Sequence, residues 1–175
     1  KPGTINYGSG GVGSAGHLAM ELLESDTDVK LQHVPYKGNG PAIVDLISGQ
    51  IQAILATIPA VMPYIKSGQM RAIATSGSRR SPALPDLPTF AEAGVKGFDY
   101  APWYAVFAPG GTPPEILQKI HDSIDTILAD PKVSGELAKQ GLEVRRMTRE
   151  QFAEIVHSDF SKWAGLIKTL NIKPE

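Results

Sequence analysis

Apolar and polar positions along the first eighty residues alternate between two rhythms. Thr4-Ile5-Asn6-Tyr7 is short and carries two residues of strong β preference. Leu18, Ala19, Leu22 and Leu23 then recur at helical spacing. Leu31-Gln32-His33-Val34 reads as a second strand. Ile43, Val44, Leu46 and Ile47 give a second helix its inward side, with Pro41 suited to its first turn and Gly49 to its end. Ile51 to Leu55 is apolar enough for a strand buried on both faces. Thr57-Ile58-Pro59 opens a third helix, with Val61, Met62 and Ile65 inward and Gly68 closing it, and Met70 to Thr75 reads as a fourth strand. Ser48-Gly49-Gln50-Ile51-Gln52-Ala53-Ile54 echoes Ser67-Gly68-Gln69-Met70-Arg71-Ala72-Ile73, the same helix-stop and strand-start chemistry used twice. The β-α-β-α-β order predicts an α/β fold with a parallel sheet and right-handed crossovers.

Beyond residue 80 the pattern changes. Ser81-Pro82-Ala83-Leu84-Pro85-Asp86-Leu87-Pro88 excludes regular helix or central strand. Thr89 with Glu92 makes a capping box for a short helix closed by Gly94, and Trp103 to Ala108 reads as an apolar, aromatic strand. The remainder is mostly helical. Thr112-Pro113-Pro114-Glu115 forms a second capping box, and Ile116, Ile120, Ile124 and Ile127 line one face behind it. Asp130-Pro131 caps a helix that stops at Gly141, and Glu143 to Arg145 is a short strand. Thr148 with Gln151 caps the last helix, whose wide stripe is Phe152, Ile155, Val156, Phe160, Trp163, Ile167 and Leu170.

The turn after the first strand carries the most chemistry. Gly8 to Ala15 reads GSGGVGSA, four glycines among the six residues from Gly8 to Gly13. A strand-to-helix turn at the carboxyl end of a parallel sheet is where open α/β proteins bind ligands. The helix beginning near Ser14 aims unpaired N–H groups and its positive dipole end there, which suits a phosphate or carboxylate. One tight turn needs fewer glycines, so the surplus points to close backbone approach by a ligand. Gly8 to Gly13 also matches G-x-G-x-x-G, but no acid ends the second strand to hold a ribose; Asp26 and Asp28 precede it. The nucleophile elbow G-x-S-x-G fails at Val12.

Composition narrows the classes. Among 175 residues, 17 basic and 18 acidic side chains nearly cancel, which leaves no electrostatic footprint for nucleic acid or a membrane surface. No apolar run is long enough to span a bilayer. The absence of cysteine excludes disulfides and thiolate chemistry. The four histidines are scattered without metal spacing, so no metal or cofactor is expected. His17 lies one turn after Ser14; a Ser–His dyad is the sharp reading, and a histidine bonded to the backbone near the loop is the preferred one. Glu21 and Glu24 read as a solvated pair on the outer side of the first helix, and Arg79-Arg80 and Arg145-Arg146 as surface pairs.

Four segments together resemble a known family: INYGSGGVGSAGHLAMELL, HVPYKGNGPAIVDLISGQIQAI, MPYIKSGQMRAIATSGSRRSPALPDLPTFAEAG and WYAVFAPGGTPPEIL. They are similar to the extracytoplasmic substrate-binding receptors of tripartite tricarboxylate transporters, also called Bug or TctC receptors. The resemblance implies a periplasmic-binding-protein-like fold of type II, with two α/β lobes and a cleft between them. It implies a periplasmic protein that captures a small carboxylate-bearing solute and delivers it to the permease subunits of a membrane transporter. It places the second lobe at residues 1–102, beginning at Lys1, and the closing, mostly helical part of the first lobe at 103–175. Members carry a long segment ahead of the position of Lys1, so exposed first-lobe faces are expected to seek cover, by that segment or by dimerisation. Many members also carry aspartates in the strand matching Ile51 to Thr57; Gln52 and Ala56 stand there here, which argues against amino-acid ligands.

The expected ligand residues are Ser9, Gly10, Gly13, Ser14 and His17 from the first turn. Tyr36, Lys37 and Gly38 join them from the second, Thr57 from the third, and Trp103 from the crossing strand. The alternative reading is an α/β enzyme built on Gly8 to His17, either an NAD-dependent dehydrogenase or a Ser–His hydrolase.

Overall fold

The computed structural model describes residues 3–172; Lys1, the expected start of the second lobe, lies outside them. Three parallel strands form the sheet in the order β2-β1-β3: β1 (Asn6–Ser9), β2 (Gln32–Pro35) and β3 (Ala53–Ile54). The register pairs Tyr7 with His33 and Ser9 with Pro35 on one side, and Gly8 with Ile54 on the other. Each strand feeds a helix, α1 (Ala15–Thr27), α2 (Asn39–Ile47) and α3 (Ile58–Lys66). Every helix N-terminus that follows a strand therefore opens at the carboxyl edge of the sheet.

Side chains alternate across the pleat. Tyr7 and Ser9 face one way, together with His17 of α1 and His33 of β2. Gly8 faces the other way, where an added Cβ would meet Ala42 of α2 at 3.1 Å and Ile51 at 2.5 Å. Helices thus cover both faces of β1. The core follows: Tyr7, Ala19 and Ala42 are fully buried, with Met20, Ile43, Ile51 and Met62 nearly so. Ala19 also joins Phe98 and Tyr100 in a cluster packed by Leu22, Leu23, Leu55, Phe90, Val95 and Trp163.

The repeated Ser-Gly-Gln ends act as the sequence echo implies. After α2, Gly49 at φ +83° donates to Leu46 O and Gln50 to Asp45 O; after α3, Gly68 at φ +74° donates to Ile65 O and Gln69 to Tyr64 O. Both are Schellman motifs, closing orphan carbonyls with a left-handed glycine.

Several expected elements differ. Met70 to Thr75 is not a strand: Ile73 is 78% exposed, and only Thr75 pairs, in one parallel bridge to Thr89. Trp103 to Ala108 is irregular and exposed, with no ladder among the described residues, because no strand lies beside it. Glu143 to Arg145 likewise forms no strand. Val44 and Ile47 of α2 point outward, leaving Ala42 and Ile43 as its buried pair. Thr89 and Glu92 form their capping box, yet the segment only turns before Gly94 at φ +107°. The box at Thr112 does not form: α4 (Pro114–Ala129) begins one residue later than that motif requires, so Pro113 is the N-cap and the Thr112 hydroxyl donates to Pro109 O instead.

α5 (Pro131–Lys139) is capped by Asp130, and α6 (Arg149–Thr169) by the full Thr148–Gln151 box. α6 packs on α1 and places Trp163 edge-on against Tyr100, with ring centroids 5.5 Å apart. Removing the Thr148 hydroxyl strands the Gln151 amide, so Thr148→Ala is expected to lower unfolding free energy by about 1 kcal/mol in urea titrations.

Candidate functional site

The turn from Gly10 to Ser14 follows from glycine stereochemistry and two histidines. Gly11 and Gly13 take φ of +125° and +75°, which β-substituted residues rarely adopt. Ser14 N–H then donates to Gly11 O at 3.1 Å, closing the turn onto the start of α1. Gly16 serves a different purpose. A Cβ there would sit 2.7 Å from Leu55 O, so a glycine is what lets α1 lie against the end of β3.

Beneath the turn lies a polar cluster. The Ser9 hydroxyl donates to Gly11 O at 3.0 Å and accepts from Gly11 N–H at 3.2 Å. Its one proton is thereby used, so the 2.7 Å contact with His33 Nε2 is made by a proton on that nitrogen. Gly13 N–H donates to His17 Nδ1 at 3.0 Å. An accepting Nδ1 places the neutral ring's proton on Nε2, facing Glu21 Oε1 at 3.5 Å. Glu21 also accepts from Tyr7 O–H at 3.0 Å. The rings of His17 and His33 stack at 4.0 Å, and Tyr7 stacks on His33 at 4.9 Å.

Burial sets the electrostatics. It pushes the His33 imidazole down to about 4, with His17 adding to the effect, and it lowers His17 against the pull of Glu21. It raises Glu24, which is 8% exposed. The expected solvated carboxylate pair is therefore corrected: Glu24 is buried, and Glu21 is bonded to Tyr7. Nor are all the histidines scattered, since two of them stack. His33 could have been found in the sequence: its place in the second strand puts it on the same face as its β1 partner.

The second and third turns complete the sheet edge. Tyr36 N–H donates to Ser9 O, and Gly38 N–H to Gly10 O at 3.2 Å, tying the second turn to the first. Tyr36 O–H donates to Asp45 at 2.7 Å, and Lys37 is exposed, with no ion pair among the described residues. Thr57 is the N-cap of α3, and its hydroxyl makes no cap bond.

The structure thus brings Ser9, Gly10, Gly13, Ser14, His17, Tyr36, Lys37, Gly38 and Thr57 to one edge, but in different states. Ser9 is fully buried, with its hydroxyl committed inward, and the amide of Gly13 is held by His17. The groups still open are the Ser14 hydroxyl proton, the Thr57 hydroxyl and the amides of Val12, Ala15 and Gly16, none of which has an acceptor among the described residues. Trp103 stands apart: Nε1–H donates to Asp159 at 2.7 Å, and its ring meets Phe152 edge-on. The close Ser–His pair is Ser9–His33, not Ser14–His17, and a serine with no exposed surface cannot reach a substrate. Among the described residues no His/Cys/Asp/Glu group has the geometry of a metal site, and no helix is long and apolar enough to cross a membrane.

A doubly covered parallel sheet that gathers three helix N-termini at one edge defines an α/β protein of the open-sheet type, whose ligands bind outside the carboxyl ends of the strands. The chain belongs to the tripartite tricarboxylate transporter family of receptors, whose sequence profile matches residues 1–172. It is 36% identical to Protein BugT of Bordetella pertussis, over 99% of this chain and 53% of that protein. R. palustris Rpa4515, solved with adipate, superposes with a TM-score of 0.92 at 34% identity, covering 100% of this chain and 58% of that one. MatC from Rhodopseudomonas palustris, solved with bound malate, superposes with a TM-score of 0.83 at 31% identity, covering 94% and 57% respectively. The fold is the α/β fold of periplasmic binding proteins of this family. The chain spans about half the length of curated relatives such as BugT.

Proposed function

We propose that the chain is the ligand-gripping part of a periplasmic receptor. It captures a small organic carboxylate and presents it to the permease subunits of a tripartite transporter. The observation that carries this reading is the set of open donors at the sheet edge: the amides of Val12, Ala15 and Gly16 beside the hydroxyls of Ser14 and Thr57. One carboxylate group can accept from several of them at once, and the dipoles of α1 and α3 favour its charge. The adipate and malate bound to Rpa4515 and MatC support a carboxylate as the ligand class. Residues 1–102 supply this edge, and residues 103–175 belong to the other lobe. Gln52, just ahead of β3, and Ala56, just after it, leave no carboxylate at these positions to meet an ammonium group, which favours acids without an amine.

Calorimetry against adipate, malate and aspartate tests the reading. Adipate or malate is expected to bind more tightly than aspartate. Thr57→Ala and Ser14→Ala are each expected to weaken binding about tenfold, the loss of one hydrogen bond to a charged group. Unchanged affinity in both variants would move the site away from this edge.

A further inference from the structure

The polar cluster beneath the turn is used by no ligand contact in this reading, and its geometry is sensitive to protons. We propose that the stacked pair His17–His33 is a proton-operated latch on the Gly10–Ser14 turn, holding Gly13 in place while both rings are neutral and releasing it when the pair takes up a proton. His17 is thus a positioning residue that acts through Gly13.

The argument begins with one nitrogen. His17 Nδ1 can accept the Gly13 N–H only while it carries no proton. Protonation turns it into a donor, and two donors then face each other across 3.0 Å. The bond is not merely weakened but reversed in sign, so the amide must turn away. Gly13 has the backbone freedom to turn, since φ +75° is one well among several for glycine. His33 amplifies the effect. A proton on either ring sits against the face of the other at 4.0 Å, and His33 Nε2 is already committed to Ser9, which holds Gly11.

The groups facing the pair set its balance. Glu21 of α1 lies 3.5 Å from His17 Nε2 and favours the cation, while the Tyr7 hydroxyl of β1 shares that carboxylate. Glu24, one turn further along α1, is buried, and burial raises its carboxyl above the usual carboxylate range. Against these stands burial of both rings, the largest influence on each, which favours the neutral forms. At neutral pH the latch is therefore closed, and acidification opens it.

The consequence for solute capture rests on the receptor reading; the latch itself does not. Val12, Ala15 and Gly16 offer their amides from the turn that Gly13 and His17 hold, so an opened latch scatters the donors.

Ligand-free NMR on the 15N-labelled chain tests it. Ring-nitrogen shifts are expected to show His17 Nδ1 unprotonated at about pH 7, and the Gly13 amide is expected to titrate with the same midpoint as the His17 ring. Protection of Gly13 from hydrogen exchange, referenced to the unstructured rate at each pH, is expected to fall about tenfold on going to about pH 4. His17→Asn keeps an acceptor at the position of Nδ1 but does not titrate, so its Gly13 protection is expected to stay flat. His17→Ala is expected to be unprotected throughout. A wild-type Gly13 amide insensitive to pH, a midpoint different from that of His17, or a His17→Asn variant that follows the wild type would each overturn the latch. Adipate titrations at both pH values separate the two ideas: no binding at either pH with an intact amide titration would leave the latch standing and remove the receptor reading.

Discussion

Gly16→Ala is expected to destabilise the protein by about 2 kcal/mol and to abolish anion binding, although alanine is the better helix former. Two effects of opposite sign compete. Alanine gains up to about 1 kcal/mol in helix propensity and unfolded-state entropy. Against this, its Cβ would lie 2.7 Å from the backbone carbonyl of Leu55, closer than carbon and oxygen tolerate. A side-chain tip could rotate away, but Leu55 O is fixed by the end of β3. The first turn of α1 must therefore tilt off the sheet, at the upper end of overpacking costs. The Ala15 and Gly16 amides and the Ser14 cap move with it, and Ala19, one turn on, is fully buried with no room to follow. Urea unfolding followed by calorimetry with adipate checks both parts. Wild-type stability in Gly16→Ala would mean that α1 and β3 are not in close contact.

That contact shows where the sequence was legible. The first three strands and helices were readable because each is a short local pattern: an apolar run, a stripe at 3.6 spacing, a Ser-Gly-Gln stop. The resemblance carried the family and the fold. Met70 to Thr75 and Trp103 to Ala108 have strand composition too, but a strand is defined by a neighbour, and composition does not supply one. Thr112 misled for a related reason: a one-residue shift in the start of α4 takes it from N-cap to the residue before. The sheet edge was legible as a place, since glycines before a helix name it. Which donors are open was not. Ser9 and Ser14 are both serines in one turn; only the pairing of Tyr7 with His33 across β1 and β2 reveals that Ser9 is turned inward. Glu24 looked solvated because Ser25, Asp26 and Asp28 follow it, yet the backbone returning at Leu31 bonds to it and it is buried.

Below about pH 6.5 the fold is expected to lose stability progressively, by about 2–3 kcal/mol at pH 4. The sign follows from the two histidines. His33 titrates at about 4 in the folded chain and near its ordinary value when unfolded, and His17 is shifted the same way. Between those limits the unfolded chain binds more protons than the folded one, so stability falls as pH falls and the loss levels off below the folded value. The full shift of His33 would be worth about 3 kcal/mol by itself; partial exposure of the ring reduces that share, and His17 adds its own. Two groups oppose. Glu24, raised by burial, takes up a proton more readily when folded and returns some stability at the acid end. His121, raised chiefly by its bond to Met147 O, is stabilising when charged, so its contribution is present in acid and lost as pH rises through its folded value. The histidine pair outweighs both, because its shift is the largest among the groups that titrate in this window. Urea midpoints at pH 7 and pH 4 measure the sum, and the double variant His17→Asn, His33→Gln isolates the pair. These replacements keep an acceptor for Gly13 and a donor for Ser9 without a titratable ring. The double variant is expected to shrink the acid limb, leaving the opposing effects of His121 and Glu24 and a smaller acid loss from Glu92, Asp125 and Glu150, whose carboxyls are held below their ordinary range by Arg80, by Arg146 and by a backbone N–H respectively. A variant as acid-sensitive as the wild type would place the dominant proton uptake elsewhere in the fold.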